Sequence, residues 1–162
     1  MNKIIVLEGA DGTGKSTLAN ILTTRTKGHI FHCSWDKDWN IEDYHESIME
    51  AAIELSNWQT VVIDRWALSE LVYGNVFRNG PSYDVRELMD QYRDKITWVY
   101  CHNDNTVLNH IKNAKNREEM FDSMKDIVKE FDKFINKSNL PWIKYNFNKS
   151  NINKVVEDIL NA

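Results

Sequence analysis

A glycine-rich segment near the start of the chain reads Gly9-Ala10-Asp11-Gly12-Thr13-Gly14-Lys15-Ser16-Thr17. It matches the pattern G-x-x-x-x-G-K-[ST] without a mismatch, and its surroundings suit that pattern. The apolar residues 4–7 before it predict a buried strand, and Leu18, Ile21 and Leu22 after it recur at helical spacing. Glycines allow positive φ, so successive backbone N–H groups can turn toward one anion, and the N-terminus of the following helix faces the same point. The segment therefore predicts a strand, a phosphate-binding loop and a helix, in that order.

The side chains of this loop suit a nucleoside triphosphate and its metal ion. Lys15 can reach the β- and γ-phosphates, which makes it a candidate catalytic residue. The Ser16 hydroxyl can ligate Mg²⁺, a cation that keeps most of its waters and takes few protein ligands. The candidate residues for binding the phosphates of ATP are Asp11, Gly12, Thr13, Gly14, Lys15, Ser16 and Thr17. The loop alone does not name a reaction, because kinases, motor ATPases and GTPases all use one.

Short apolar runs alternate with helical patterns over the rest of the chain. The runs at residues 4–7, 30–33, 61–63, 96–101 and 142–147 mostly lack two-residue alternation, which is typical of strands buried on both faces. This alternation predicts an α/β fold, a three-layer α/β/α sandwich with a five-stranded parallel sheet. No repeat or linker divides the chain, so residues 1–162 are expected to form a single domain.

The composition excludes some classes of function. The chain has 162 residues with 20 Lys and Arg against 24 Asp and Glu, so its net charge of −4 offers no excess for neutralising nucleic-acid phosphates. The apolar start is too short for a membrane span or a signal peptide. Cys33 and Cys101 show no metal-ligand spacing, and neither do His29, His32 and His45, which we interpret as structural. We therefore expect a cytoplasmic protein that binds neither nucleic acid nor membrane, with both cysteines reduced.

A second candidate site lies at the end of another predicted strand. The apolar residues 61–63 run directly into Asp64 and Arg65. In a parallel sheet these two side chains would emerge beside the phosphate loop. Asp64 can hold Mg²⁺ through water or accept a proton from an attacking hydroxyl, and Arg65 can clamp a phosphate with two hydrogen bonds.

Residues 7–17 and 64–74 together resemble the thymidylate kinase-like family of P-loop nucleoside and nucleotide kinases. The first segment matches the family pattern E-G-x-D-G-x-G-K-[ST]-T, and the second places Ser69 four residues after Arg65 and Tyr73 four residues after Ser69. The resemblance implies a P-loop kinase domain with helices on both faces of the sheet and a short lid. Members of that family commonly form homodimers.

The resemblance also implies roles for individual residues. Asp11 matches the loop carboxylate that holds the 3′-hydroxyl of the acceptor sugar, and Arg65 matches the residue that grips the acceptor phosphate. Ser69 and Tyr73 match positions that line the acceptor pocket. The adenine of ATP would contact the base of the lid and the turn at residues 149–153.

A basic run suggests where the lid lies. Lys112, Lys115 and Arg117 stand within six residues with no acid among them. A basic loop over a phosphate site would stabilise charge on the transferred group and exclude water. The family has an arginine-containing lid ending in R-x-E, which Arg117 and Glu119 match. We expect a lid at about residues 112–119 whose three cations contact the ATP phosphates, with Arg117 a catalytic residue.

The chain departs from the family pattern after the second predicted strand. Residues 32–39 lack the R-x-P-like segment, and Gly74 stands where a glutamine often reads thymine. Trp35 or Trp39 can stack on an acceptor base.

Three functions therefore remain open. The first is phosphorylation of a dTMP-like deoxynucleoside monophosphate to the diphosphate. The second is phosphorylation of an uncharged deoxynucleoside at its 5′-hydroxyl, with Asp36 or Asp64 as the base. The third is a P-loop switch or binding module without an acceptor. The chain lacks the N-K-x-D motif by which a GTPase reads guanine, and this argues against the third function.

Overall fold

The structure is a computed structural model that describes residues 1–102 and 118–162. Within these ranges all five predicted strands are present: β1 (Ile4–Glu8), β2 (His29–His32), β3 (Val61–Asp64), β4 (Ile96–His102) and β5 (Ile143–Asn146). A short 3₁₀ turn, Arg93–Lys95, precedes β4. The helices are α1 (Lys15–Thr26), α2 (Ile41–Ser56), α3 (Ala67–Phe77), α4 (Val85–Gln91), α5 (Glu118–Lys137) and α6 (Ile152–Asn161).

The strands form one parallel sheet in the order β2-β3-β1-β4-β5, which confirms the predicted sheet. Its register aligns the strand ends that carry the candidate site. Asp64 pairs with Leu7 on one side and with His32 on the other. Because all strands run in the same direction, their carboxyl ends meet at one edge, and the phosphate loop leaves β1 at that edge.

Helices cover both faces of the sheet, so the predicted three layers are confirmed. Alternate residues of β1 enter different cores, with Val6 on one face and Leu7 on the other. This explains the uninterrupted apolar run of β1. The larger core packs α2 to α5 around Trp66 and Trp98, and the smaller core packs α1 and α6 around Leu22.

Short polar side chains determine where several helices begin. Asn40 accepts the backbone N–H of Asp43 at 3.2 Å at the start of α2, and Asn151 accepts that of Asn153 at 3.0 Å at the start of α6. Each supplies an acceptor to a helix N–H group that has no partner within its own helix. None of the helices within residues 1–102 and 118–162 combines the length and the apolar character that a membrane span needs.

Candidate active site

The loop between β1 and α1 has a conformation that its glycines permit. Gly9, Gly12 and Gly14 have φ values of 145°, 73° and 79°. A Cβ at Gly9 would overlap the carbonyl oxygen of Cys101 in β4, so a larger residue cannot hold the loop this close to the sheet. Gly14 is the N-cap of α1, and no side chain of the described residues caps this helix. The first turn of α1, which includes the exposed Ser16 and Thr17, therefore offers its backbone N–H groups to an anion.

Lys15 is held inside this loop. Its side chain is buried, and its Nζ donates to the carbonyl oxygen of Ala10 at 2.7 Å. The Thr13 hydroxyl donates to the same oxygen at 2.7 Å. Burial, together with the charge of Arg65, lowers the pKa of Lys15 to about 8, although Asp64 acts in the opposite direction. The loop lysine and the end of β3 therefore share one electrostatic site.

Asp64 is the last residue of β3, and among the described residues only one of its two carboxylate oxygens has a hydrogen-bond partner. Its Oδ2 lies 3.0 Å from His32 Nδ1, whereas its buried Oδ1 has no hydrogen-bond partner among the described residues. A buried carboxylate oxygen without a partner is costly, and a metal ion or its bound water would satisfy it. No group of three or more His, Cys, Asp or Glu side chains that could hold a metal occurs within the described ranges. One hydroxyl and one carboxylate nevertheless suit Mg²⁺, since this ion takes few protein ligands.

Arg65 connects the phosphate loop to α3. It adopts a left-handed backbone conformation with φ 66°, and its guanidinium contacts the Asp11 carboxylate. Its Nη1 donates to the Tyr73 hydroxyl at 2.9 Å, and the guanidinium carbon lies 5.3 Å from the centre of the Tyr73 ring. Three of the residues predicted to bind the acceptor thus contact one another.

A buried carboxylate that the sequence analysis did not assign, Glu8, positions this arrangement. Its Oε1 accepts the backbone N–H groups of Trp66 and Leu68 at 3.0 and 3.1 Å, and its Oε2 accepts the Ser69 hydroxyl at 2.5 Å. Burial raises the pKa of Glu8 despite these hydrogen bonds. In addition to its predicted role at the acceptor, Ser69 therefore helps to hold the start of α3 against β1. In the sequence, the sign of this role is that Glu8 is an acid at the end of an apolar strand.

A cavity of about 520 Å³ adjoins Arg65. Five of the six predicted acceptor residues line it, namely Asp11, Trp35, Arg65, Ser69 and Tyr73. Asp36 does not line it, and its Oδ1 instead accepts the backbone N–H of Asp38 at 2.9 Å. Lys112, Lys115 and Arg117 lie outside the described residues, as does most of the predicted lid.

Two further polar pairs border the cavity, and the sequence analysis assigned neither. Arg78 Nη2 donates to Glu70 Oε2 at 2.7 Å. His45 Nδ1 lies 2.6 Å from the Tyr83 hydroxyl, and burial lowers the pKa of His45 to about 4. His45 and His32 were interpreted as structural, yet the first lines the cavity and the second contacts Asp64. Neither pair has a sequence signal, because its partners meet only in the folded chain.

The other side of the phosphate loop carries an aromatic ring. Phe147 follows β5, and its backbone N–H donates to the carbonyl oxygen of His102 at 2.9 Å. A Cβ built on Gly14 would lie 2.5 Å from the Phe147 ring, so the ring packs directly on the loop. Phe147 remains partly exposed beside the turn after β5, where the resemblance placed adenine.

Comparisons with known proteins identify relatives of this chain. No family model matches it. The SPbeta prophage-derived uncharacterized protein YorR of Bacillus subtilis (strain 168) is 31% identical over 127 residues, which cover 76% of this chain and 74% of YorR.

Solved structures share the fold. A crystal structure of Bacillus subtilis YorR in complex with phosphorylated GDP has a TM-score of 0.78 and 24% identity, covering 98% of this chain and 94% of YorR. The deoxyadenosine kinase of M. mycoides, with products dCMP and dCDP, has a TM-score of 0.58, 18% identity and coverage of 98% and 97%. The thymidylate kinase of Candida albicans has a TM-score of 0.56, 16% identity and coverage of 99% and 90%. With this fold and the 31% identity to YorR, the chain belongs to the YorR family and has the thymidylate kinase-like P-loop kinase fold.

Proposed function

We propose that this protein is a Mg²⁺-dependent kinase that transfers the γ-phosphoryl group of ATP to a deoxynucleoside monophosphate. One observation carries the proposal: the phosphate loop and the cavity of about 520 Å³ share Asp11, and Arg65 links the two. A switch or a binding module needs only the loop. A kinase needs a second site in contact with it, and a cavity of this kind is the default candidate.

The donor half of the site uses the loop and its surroundings. The N–H groups of residues 11–17 and the Lys15 ammonium bind the phosphates of ATP, and Phe147 offers a ring beside the turn that would receive adenine. Lys15 is already fixed by Ala10, so its charge needs little rearrangement to act on the γ-phosphate. In this proposal Arg117, with Lys112 and Lys115, covers the same phosphates from the lid.

Ser16 and Asp64 would hold the metal ion. Mg²⁺, when bound, neutralises charge on the phosphates and orients them. Within residues 1–102 and 123–162, Asp64 Oδ1 is a buried oxygen without a hydrogen-bond partner, and the metal ion or its bound water would supply one. The bond from His32 to Oδ2 keeps the carboxylate in one orientation.

The cavity favours a monophosphate over an uncharged nucleoside as the acceptor. Neither Asp36 nor Asp64 lines it, and the two carboxylates that do, Asp11 and Glu70, are each paired with an arginine. Among the described residues that line the cavity, therefore, no unpaired carboxylate is available to take a proton from a 5′-hydroxyl. The oxygen of a monophosphate is already anionic and needs no base, and Arg65 supplies a positive charge for it. The nucleotide bound to YorR is consistent with a site that accepts nucleotides.

The test is a measurement of ADP formation from ATP and Mg²⁺ with a panel of deoxynucleosides and their 5′-monophosphates. The proposal predicts ADP formation that depends on a monophosphate and is lost in Lys15→Ala. Formation with nucleosides alone would favour the nucleoside kinase. Slow formation that no acceptor changes would favour the switch.

We further propose that residues 1–162 act as one P-loop kinase domain in the cytoplasm and assemble as a homodimer. Sedimentation velocity would measure the assembly, and a monomer at micromolar concentration would contradict it.

A further inference from the structure

The acceptor cavity has a second arginine in its wall, Arg78, directly after α3. Its Nη2 donates to Glu70 at 2.7 Å, and its guanidinium carbon lies 4.6 Å from the centre of the Trp35 ring. Glu70 is itself fixed, because its Oε1 accepts both the backbone N–H and the hydroxyl of Ser82 at 3.0 Å. A ring on one side and a buried carboxylate on the other hold the guanidinium in place, so little further ordering is needed when it binds a ligand.

The charged side chains of this wall present free donors rather than free acceptors. A guanidinium carries five N–H groups, and Glu70 is the hydrogen-bond partner of Arg78 among the described residues. The carboxylates of the wall, Asp11 and Glu70, are both paired with arginines. His45 also lines the cavity, and its bond to the hydroxyl of Tyr83 leaves its other ring nitrogen without a partner in the described part of the chain. A phenol is the better donor of that pair, so the imidazole proton belongs on the unpaired nitrogen and adds another N–H.

We propose that Arg78 selects an acceptor whose base has a carbonyl at purine position 6 or pyrimidine position 4; this inference rests on the kinase function proposed above. The carbonyl is that of a 6-oxopurine, as in guanine, or of a 4-oxopyrimidine, as in thymine, and it accepts N–H groups of the guanidinium. Adenine and cytosine carry an amino group at the same position. That group would face donors, with no unpaired carboxylate in the described wall to accept from it, so these bases are rejected.

Equilibrium binding of six nucleotides to the full chain tests this selection. Isothermal titration calorimetry with dGMP, dIMP, dTMP, dUMP, dAMP and dCMP gives their relative affinities. We expect the best of dGMP, dIMP, dTMP and dUMP to bind at least about tenfold more tightly than dAMP and dCMP, since a hydrogen bond to a charged group supplies that much. Among the ligands with this carbonyl, dGMP and dIMP are purines and dTMP and dUMP are pyrimidines. The comparison shows which ring type the site prefers, and a preference for either supports the proposal.

Two variants test whether Arg78 is the residue that selects the base. Arg78→Met keeps an unbranched apolar stem on Trp35 but removes the donors, and we expect the preference to fall below about threefold while binding of dAMP and dCMP changes little. The matched control is Arg86→Met, because Arg86 also lies over an aromatic ring, 5.9 Å from the centre of Phe134, and does not line the cavity. The Arg86→Met variant should show the same preference among the six nucleotides as the unmodified chain.

The outcomes separate this inference from the proposed function. If dAMP or dCMP binds the unmodified chain as tightly as the best of dGMP, dIMP, dTMP and dUMP, or if a folded Arg78→Met keeps the preference, Arg78 does not select the base although the kinase stands. Glu70→Gln, which weakens the hold on Arg78, should lower the preference in the same direction if Arg78→Met fails to fold. Binding of none of the six, together with no acceptor-dependent ADP formation, would overturn both conclusions.

Discussion

Acidification to pH 5 should cost this fold about 2 kcal/mol through His45 alone. The imidazole is 4% exposed and lies between the Trp66 and Tyr83 rings at centroid distances of 6.4 and 5.8 Å. Burial lowers its pKa from 6.5 to about 4, although the nearby charge of Glu70 acts in the opposite direction. The folded chain therefore resists protonation of a group that the unfolded chain protonates readily.

The sign and the size follow from this difference. As the pH falls below 6.5, the unfolded state binds a proton that the folded state does not, so stability is lost until the pH reaches about 4. Each pKa unit corresponds to about 1.4 kcal/mol. Between pH 7 and pH 5 the loss amounts to about 2 kcal/mol, and it rises to about 3 kcal/mol by pH 4.

Urea unfolding at pH 7 and pH 5 measures the effect, with His45→Asn as the comparison. Asparagine can place its amide oxygen near the position of Nδ1, where it accepts the Tyr83 hydroxyl, and it has no titration in this range, so the contributions of all other groups cancel in the difference. The unmodified chain should lose about 2 kcal/mol more than His45→Asn. Equal losses would show that His45 is protonated as easily in the folded chain as in the unfolded one, and would refute its burial.

Three further variants test other parts of the site. Lys15→Ala should leave a folded protein but reduce phosphoryl transfer at least ~100-fold, because it removes a preorganised charge, and near-normal turnover would overturn the donor assignment. Gly9→Ala should lower the free energy of unfolding by at least about 1 kcal/mol more than Gly80→Ala, since both have positive φ but only Gly9 faces the backbone of β4; equal losses in urea would contradict this. His32→Ala should weaken Mn²⁺ binding to the nucleotide complex about tenfold, measured by electron paramagnetic resonance, and His32→Asn should restore it; unchanged binding in His32→Ala would mean that the bond to Asp64 is incidental.

Local motifs made most of the fold predictable. The sequence from β1 to α1 needs its glycines at fixed positions, and buried parallel strands need uninterrupted apolar runs, so both are visible without a structure. The same holds for Asp64 and Arg65, because an acid and a base directly after an apolar strand must emerge at the edge of the sheet. Helices α3 and α4 were harder to predict. The buried residues of α3 lie on several of its faces and leave no single apolar stripe, and α4 has only seven residues.

The acceptor cavity could be predicted only in part. Its residues near Arg65 belong to a motif, but Glu70 pairs with Arg78 at the C-cap of the same helix, and His45 of α2 pairs with Tyr83 from the segment before α4. The sequence shows Glu8 as an acid that ends an apolar strand, but it does not show the three partners of Glu8, which lie at the start of α3, far along the chain. Such pairs have no fixed spacing, so no pattern in one sequence could reveal them.

Transfer of isotope-labelled phosphate tests the account most directly. ATP labelled at its γ-phosphate is incubated with the protein, Mg²⁺ and each deoxynucleoside monophosphate, and the products are separated. We expect the label to appear on the acceptor as a diphosphate, with one labelled diphosphate for each ADP formed. Label recovered only as inorganic phosphate, at a rate that no acceptor changes, would contradict it.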